Sequence, residues 1–347
     1  MLCVVRSYQN IRIYGVLSSV EYRRLGRSGL RVAPLVLGTM NFGGATDKEQ
    51  ALRIIDEALE AGINLLDCAD IYSGGESELI LGEALSRDGK RKQVLVSTKA
   101  YMPSGPGPND RGLSRHHIFE SCERSLKSLK TDHIDIFFLH RPDFTVPLEE
   151  TLAALDILVK QGKVRYIACS THPSWRTVEA LMVSDRLGYP KFICEQPPYN
   201  LLERRIEQEI LPMCRYFDLG VICWSPLAQG MLAGRYKRTN HFPEGSRATQ
   251  KEVFAERITQ AGIDAAEKMA GYARERGVTP AQFAVAWVLH QPGVTGSIIG
   301  PRTLENFRDL LPSVEIKLGE EDLAYCDSLV APGSYLSNHF NTADWMR

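Results

Sequence analysis

Ile134-Asp135-Ile136-Phe137-Phe138-Leu139-His140 is an almost unbroken apolar run, too short for a globular helix and closed by an imidazole. Two runs of the same kind precede it: Ile63-Asn64-Leu65-Leu66-Asp67 and Val94-Leu95-Val96-Ser97-Thr98-Lys99. Strands buried on both faces read this way, because neither face alternates with water. With further runs at 35–37, 166–170, 193–196, 221–224 and 296–299, the candidate strands number eight, separated by segments of helical period. Eight strand–helix units predict an α/β fold, a single (β/α)8 TIM barrel with its active site at the C-terminal rim of the strands. A doubly wound sheet would want a Gly-rich turn after its first strand. Gly26-Arg27-Ser28-Gly29 and Gly43-Gly44 do not form G-x-G-x-x-G, and Gly82 to Gly89-Lys90 is two residues too long for a P-loop.

The segments between the runs carry helix signals. Thr46-Asp47-Lys48-Glu49 reads as a capping box, with Thr46 as the cap, opening a helix through about Ala61. Ile118, Cys122, Leu126 and Leu129 make one apolar face; Leu148, Leu152, Leu155 and Leu158 make another. Thr279-Pro280-Ala281-Gln282 combines an N-cap, a first-turn proline and a reach-back glutamine. Gly62, Gly162 and Gly220 each follow a helical segment, where a left-handed C-cap is expected. The irregular stretch 228–254, holding Arg235, Lys237, Arg238 and Arg247, reads as a flexible lid over a ligand. The barrel is expected to span residues 21–330, with a tail, 331–347, lining the substrate pocket. Residues 1–20 read as a disordered or non-native extension, translation starting at Val20 read from a GTG codon.

At 347 residues with net charge -1, the chain offers no basic run for nucleic acid and no apolar stretch of transmembrane length. Its eight cysteines include no C-x-x-C pair and no zinc-ligand spacing, so no metal is expected. Cys169, Cys194 and Cys223 lie in apolar runs as buried reduced thiols, which suits the cytoplasm. Oligomeric state is open on this reading.

Parallel neighbouring strands would bring Asp67, Lys99 and His140 to one rim, with Tyr72 five positions beyond Asp67 in a Ser/Gly-rich loop. Taken singly, each has an ordinary structural explanation; taken jointly, they suit proton transfer to a carbonyl oxygen. A phenol of reference pKa about 10 is a usable acid only where its anion is stabilised. Lys99 would lower the pKa of Tyr72, Asp67 would anchor Lys99, and His140 would orient the carbonyl. Of the remaining histidines only His172 is placed to line the pocket. Phe42, Tyr101, Phe340 and Trp345 offer an aromatic wall.

These motifs resemble the aldo-keto reductase superfamily over residues 22–329. The carrying residues are Arg24-Leu25-Gly26-Arg27-Ser28-Gly29-Leu30, Leu37-Gly38-Thr39-Met40, Asp67-Cys68-Ala69-Asp70-Ile71-Tyr72, Ser97-Thr98-Lys99, Gly162-Lys163-Val164-Arg165 and Trp224-Ser225-Pro226-Leu227-Ala228. Within the superfamily the chain is similar to the bacterial branch that includes potassium-channel β subunits. The resemblance implies NADPH or NADP+ extended across the barrel mouth without a Rossmann motif, and a small-molecule carbonyl substrate interconverted with its alcohol. It implies cofactor contacts from Gly38, Thr39, Met40 and Asp67, and a carboxamide held by Ser170 and Gln196. Trp224 would stack on the nicotinamide, while Ser225, Pro226, Leu227, Ala228, Gly230, Arg235 and Arg247 would hold the pyrophosphate. Gly300, Arg302 and Asn306 would take the adenosine end, with Arg302 on the 2′-phosphate. The chain departs from the pattern in three places. Thr171 stands where Asn is frequent, Asn306 where Gln is usual, and Asp309-Leu310 where Glu-Asn is usual. Two other readings compete: a weakly catalytic nicotinamide-sensing subunit, and a barrel lyase or isomerase using Lys99 as a Schiff-base amine.

Overall fold

The computed structural model describes residues 20–238 and 241–343; the expectations about residues 1–19 and Trp345 lie outside them. Among the described residues, eight parallel strands close into a barrel: β3 (Leu35–Gly38), β4 (Leu65–Asp67), β5 (Leu95–Ala100), β6 (Ile134–Leu139), β7 (Val164–Ser170), β8 (Cys194–Gln196), β9 (Gly220–Cys223) and β10 (Gly296–Ile299). Closure comes from β10, which pairs with β9 at Ser297–Cys223 and with β3 at Ile299–Leu37. Outside it run α1 (Lys48–Glu60), α2 (Glu76–Leu85), α3 (Arg115–Ser128), α4 (Leu148–Lys160), α5 (Ser174–Leu187) and α6 (Ile210–Tyr216). After β9 come α7 (Glu252–Ala255), α8 (Gln260–Glu275) and α9 (Pro280–His290); after β10 come α10 (Leu304–Leu310) and α11 (Glu320–Leu329). The (β/α)8 fold predicted from the apolar runs is the one observed. No described helix is long and apolar enough to cross a membrane.

The runs are apolar because both faces are buried. Leu37, Leu66, Val96, Phe137 and Ile167 face the helices, while Val36, Leu65, Ile136, Phe138, Ala168 and Ile222 fill the barrel. Each of these side chains larger than alanine contributes about 1.5–3 kcal/mol by leaving water.

An antiparallel hairpin, β1 (Arg23–Arg24) and β2 (Arg31–Val32), precedes the barrel and is invisible to periodicity because each strand has two residues. It delivers Leu25, fully buried, into the interior cluster beside Ile193 and Ile222. Arg23 Nη1 donates to the carbonyls of Leu289, Val294 and Thr295, and Arg24 pairs with Asp218 at 2.9 Å.

Two local expectations are corrected. The cap of α1 is Asp47, whose carboxylate accepts from Gln50 N at 2.8 Å. Thr46 is drawn away because its hydroxyl donates to the Arg302 carbonyl at 3.0 Å. Gly220 is not a C-cap but the first residue of β9; Asp218 takes the left-handed turn after α6, at φ 52°. Gly220 is needed there for closeness, since a Cβ would lie 2.4 Å from Leu25 Cδ1. Gly62 and Gly162 do adopt φ of +80° and +74°. The described cysteines are all buried and unpaired.

Gly26 carries both constraints: φ is +51° and a Cβ would sit 2.3 Å from Gly220 N. Gly26→Ala is expected to cost at least about 3 kcal/mol in urea denaturation, whereas Gly29→Ala, with open space around it, costs under about 1 kcal/mol. Equal effects at the two positions would contradict this account of the hairpin.

Candidate active site

Alternation along β5 turns Ser97 and Lys99 inward and Thr98 toward α2, where its hydroxyl donates to Glu78 at 2.6 Å. Asp67, ending β4, lies in register with Ser97. Lys99 Nζ, with no exposed surface, donates to Asp67 Oδ2 and to the Cys68 carbonyl, both at 2.6 Å. The other carboxylate oxygen accepts from Ser97 Oγ at 2.8 Å and Gln196 Nε2 at 3.0 Å.

Tyr72 opens the turn between β4 and α2. Ser73, Gly74 and Gly75 all have left-handed φ, of 49°, 68° and 97°, and such a turn reverses the chain most cheaply with glycines. Lys99 Nζ lies 3.4 Å from the Tyr72 oxygen. The Tyr72 ring meets His140 edge-on, with centroids 5.9 Å apart. All four residues therefore gather at the rim.

Burial pulls the Lys99 ammonium downward, but Asp67 and Tyr72 more than offset it and hold it above its ordinary value. A lysine kept protonated is a poor Schiff-base nucleophile, which counts against the lyase reading. Burial also pushes His140 well below the usual histidine range, helped by Arg141 and Lys99, so its imidazole is neutral. Its Nδ1 is buried and, among the described residues, finds no hydrogen-bond partner. Tyr72 differs from expectation. Lys99 draws its pKa down, yet burial outweighs that pull and leaves the phenol raised.

The residues expected to hold a cofactor separate into three groups. Thr39 and Ser170 are buried in strand-end hydrogen bonds, Thr39 Oγ1 to the Asp67 carbonyl at 3.1 Å and Ser170 Oγ to the Gln196 carbonyl at 2.8 Å. Gly38 packs against Ile298 so closely that a Cβ would lie 2.5 Å from its Cγ2. The segment from Ser225 through Pro226, Leu227, Ala228 and Gly230 is sharply folded, with Ser225, Ala228, Gln229 and Gly230 all left-handed. Last, Arg302 Nη1 and Arg235 Nη2 both donate to one carbonyl, that of Gly245, at 2.6 and 3.2 Å. Arg247 lies against Met40 Sδ at 3.5 Å. Among the described residues, Arg235, Arg247 and Arg302 form no ion pair. Three cations without counter-ions fit the phosphates of a dinucleotide. Met40 is 37% exposed, Gly300 accepts from Asn41, and Asn306 is exposed.

Some assignments do not hold. His172 bonds the Ser170 carbonyl through Nδ1 at 3.0 Å and packs edge-on against Phe192, so it is structural. Phe42 and Phe340 are buried in the core, leaving Tyr101 half-buried beside it. The described part of the stretch 228–254, expected as a lid, contains short 3₁₀ turns at Ala228–Gly230 and Arg247–Thr249, and its Gly245 carbonyl accepts from Arg302.

Spacing along the chain also gave no sign of a buried cluster behind β7. There Cys169, His172 and Glu195 place their polar atoms within 4.8 Å of one another. Cys169 Sγ donates to Glu195 Oε2 at 2.9 Å, and Glu195 Oε1 accepts from His172 N at 3.2 Å. Burial pushes the Glu195 carboxyl up to about 7. The cluster braces Thr171, which sits at φ 56°. Thr171 Oγ1 receives Arg141 Nη1 at 3.0 Å and Trp224 Nε1 at 3.4 Å. A β-branched residue is strained there, and asparagine tolerates the conformation far better.

Fold and site together define a (β/α)8-barrel oxidoreductase. More narrowly, the chain belongs to the aldo/keto reductase family, whose model matches residues 34–331. It is 42% identical over 313 residues to an uncharacterized oxidoreductase, YrpG, of Bacillus subtilis strain 168, covering 88% of this chain and 94% of the relative. It is 39% identical over 293 residues to a probable voltage-gated potassium channel subunit beta of Oryza sativa subsp. japonica, covering 83% and 88%. The corresponding Arabidopsis thaliana protein is 35% identical over 303 residues, with coverage of 86% and 92%.

Thr171→Asn is expected to raise stability by about 1 kcal/mol through relief of backbone strain. Chemical denaturation decides it, and a lower midpoint in the variant counts against strain at this residue.

Proposed function

We propose that the protein reduces aldehydes or ketones to alcohols with NADPH, reversibly, and that Tyr72 is the general acid. The observation that carries this reading is the 3.4 Å approach of a buried, Asp67-paired ammonium to the Tyr72 oxygen. Bound NADPH would supply a hydride to the carbonyl carbon; Arg302 would hold its 2′-phosphate end and Arg247 its pyrophosphate, with Arg235, expected on the pyrophosphate, drawn toward Arg302 by the Gly245 carbonyl they share. The raised phenol stays protonated at rest. As negative charge builds on the substrate oxygen, Tyr72 hands over its proton, and Lys99 stabilises the phenolate that remains. Asp67 keeps Lys99 aimed, while neutral His140 donates a hydrogen bond to the same oxygen. Ser170, Gln196 and Trp224 would seat the nicotinamide. Gln196 would do so while holding Asp67.

Two relatives carry the name potassium channel subunit beta, which favours one second reading, a weakly catalytic nicotinamide-sensing subunit. Steady-state NADPH oxidation with a panel of aldehydes separates the two. Turnover supports the reductase, and tight NADPH binding without turnover supports the sensor.

Tyr72→Phe is expected to bind NADPH within about threefold of the parent while kcat falls by roughly 10²–10⁴. Unimpaired turnover removes Tyr72 from the proton path. Arg302→Ala should raise KM for NADPH by roughly 10–100-fold, the loss of a charge-assisted contact, and leave NADH nearly untouched. Equal effects on both cofactors would place Arg302 elsewhere.

A further inference from the structure

Beyond the three arginines that suit a dinucleotide, the mouth holds a fourth that forms no ion pair among the described residues. Arg257 is 5% exposed. Its guanidinium lies over the Trp224 ring at 5.7 Å and over Phe254 at 5.5 Å. Nε and Nη2 donate to neutral oxygens of the tail, Asn341 Oδ1 at 2.8 Å and Thr342 Oγ1 at 3.4 Å. Among the described residues, nothing accepts from Nη1.

Among the described residues, the one other arginine buried to this degree has carboxylate partners, and so does its half-buried neighbour Arg205. Arg204, 3% exposed, pairs with Glu207 at 2.7 Å and Asp327 at 2.8 Å, and Arg205 with Glu203 at 2.5 Å. The acids nearest Arg257 are committed elsewhere. Glu203 holds Arg205, and Glu256 accepts from Asn341 Nδ2 at 2.9 Å. A desolvated charge left without an opposite charge costs several kcal/mol. Tying down a tail does not require that expense, because a neutral donor would serve. Arg141, at 6.0 Å over the same Trp224 ring, adds positive field rather than relieving it. Glu203 and Glu256 act on Arg257 only through space and are outweighed: burial, Arg141 and Arg247 bring its guanidinium down to about 10, still protonated at neutral pH.

We propose that Arg257 is a binding residue for an anionic group on the substrate, so that the preferred carbonyl compounds carry a carboxylate or a phosphate monoester. The inference rests on the reductase reading. It differs from the cofactor's phosphate site because Arg235 and Arg302 converge on Gly245, whereas Arg257 lies on Trp224, the ring expected to seat the reacting end of the cofactor.

The test compares matched aldehydes in NADPH oxidation: 4-oxobutanoate with butanal, and glyceraldehyde 3-phosphate with glyceraldehyde. At least a tenfold preference in kcat/KM for the charged member of either pair is expected, and the pair that shows it distinguishes carboxylate from phosphate. In Arg257→Met that ratio should fall at least tenfold, with partial recovery in Arg257→Lys. Butanal reduced as well as 4-oxobutanoate, and glyceraldehyde as well as its phosphate, overturns the proposal while leaving the reductase reading intact. If no aldehyde is turned over, the reductase reading fails, and calorimetric titration of NADP+-loaded protein with succinate and with glycerol 3-phosphate still decides the anion site. Binding of either, weakened at least tenfold in Arg257→Met, supports it; binding of neither, or equal binding in the variant, overturns it.

Discussion

The Lys99–Asp67 ion pair is the contact on which the rim depends. An ammonium with no exposed surface gives up its hydration, and such a pair survives only where every proton and lone pair finds a partner. Here the partners come from separate strands: Asp67 and the Cys68 carbonyl at the end of β4, Ser97 and Lys99 on β5, Gln196 on β8. Shifting any of these strands by one residue would turn its contribution out of the barrel and strand a charge in the interior. The pair thus fixes register as well as chemistry, and the phenol of Tyr72 takes its place relative to a cation that cannot move.

Charge is distributed unevenly over a chain whose net value is only -1. Around the wall, arginines and lysines find acids: Arg91 with Asp135, Arg276 with Asp322, Arg308 with Glu57. At the mouth, Arg235, Arg247, Arg257 and Arg302 instead lie against carbonyls, amides, hydroxyls, sulfur and aromatic faces. A concave surface of one sign focuses its field on whatever enters. Balance elsewhere and imbalance here is what an anion-binding mouth on a nearly neutral protein requires.

Much of this was legible in the chain. The strands could be found because a barrel strand is buried on both faces, and the rim because Asp67, Lys99 and His140 each end an apolar run. The hairpin was not legible: its strands are two residues long and largely arginine, and only its contacts with Ile193 and Gly220 reveal its purpose. Thr46 and Asp47 were indistinguishable as caps until the Arg302 carbonyl claimed the threonine hydroxyl. Arg257 showed no local pattern, since its isolation depends on residues that fold beside it from Trp224 and Asn341. The sign of the net shift at Tyr72 depends on burial set against one cation, a balance only three dimensions can give.

The hairpin also sets an order of events in time. Arg23 hydrogen-bonds to the carbonyl of Thr295, 272 positions further along, so the hairpin ahead of the barrel joins the residue that precedes its last strand, β10. Contacts of such separation slow folding, because a long loop must close before they form. During synthesis Leu25 has no interior to enter until β8 and β9 have emerged, and its apolar side chain stays unmet while the strands between are made.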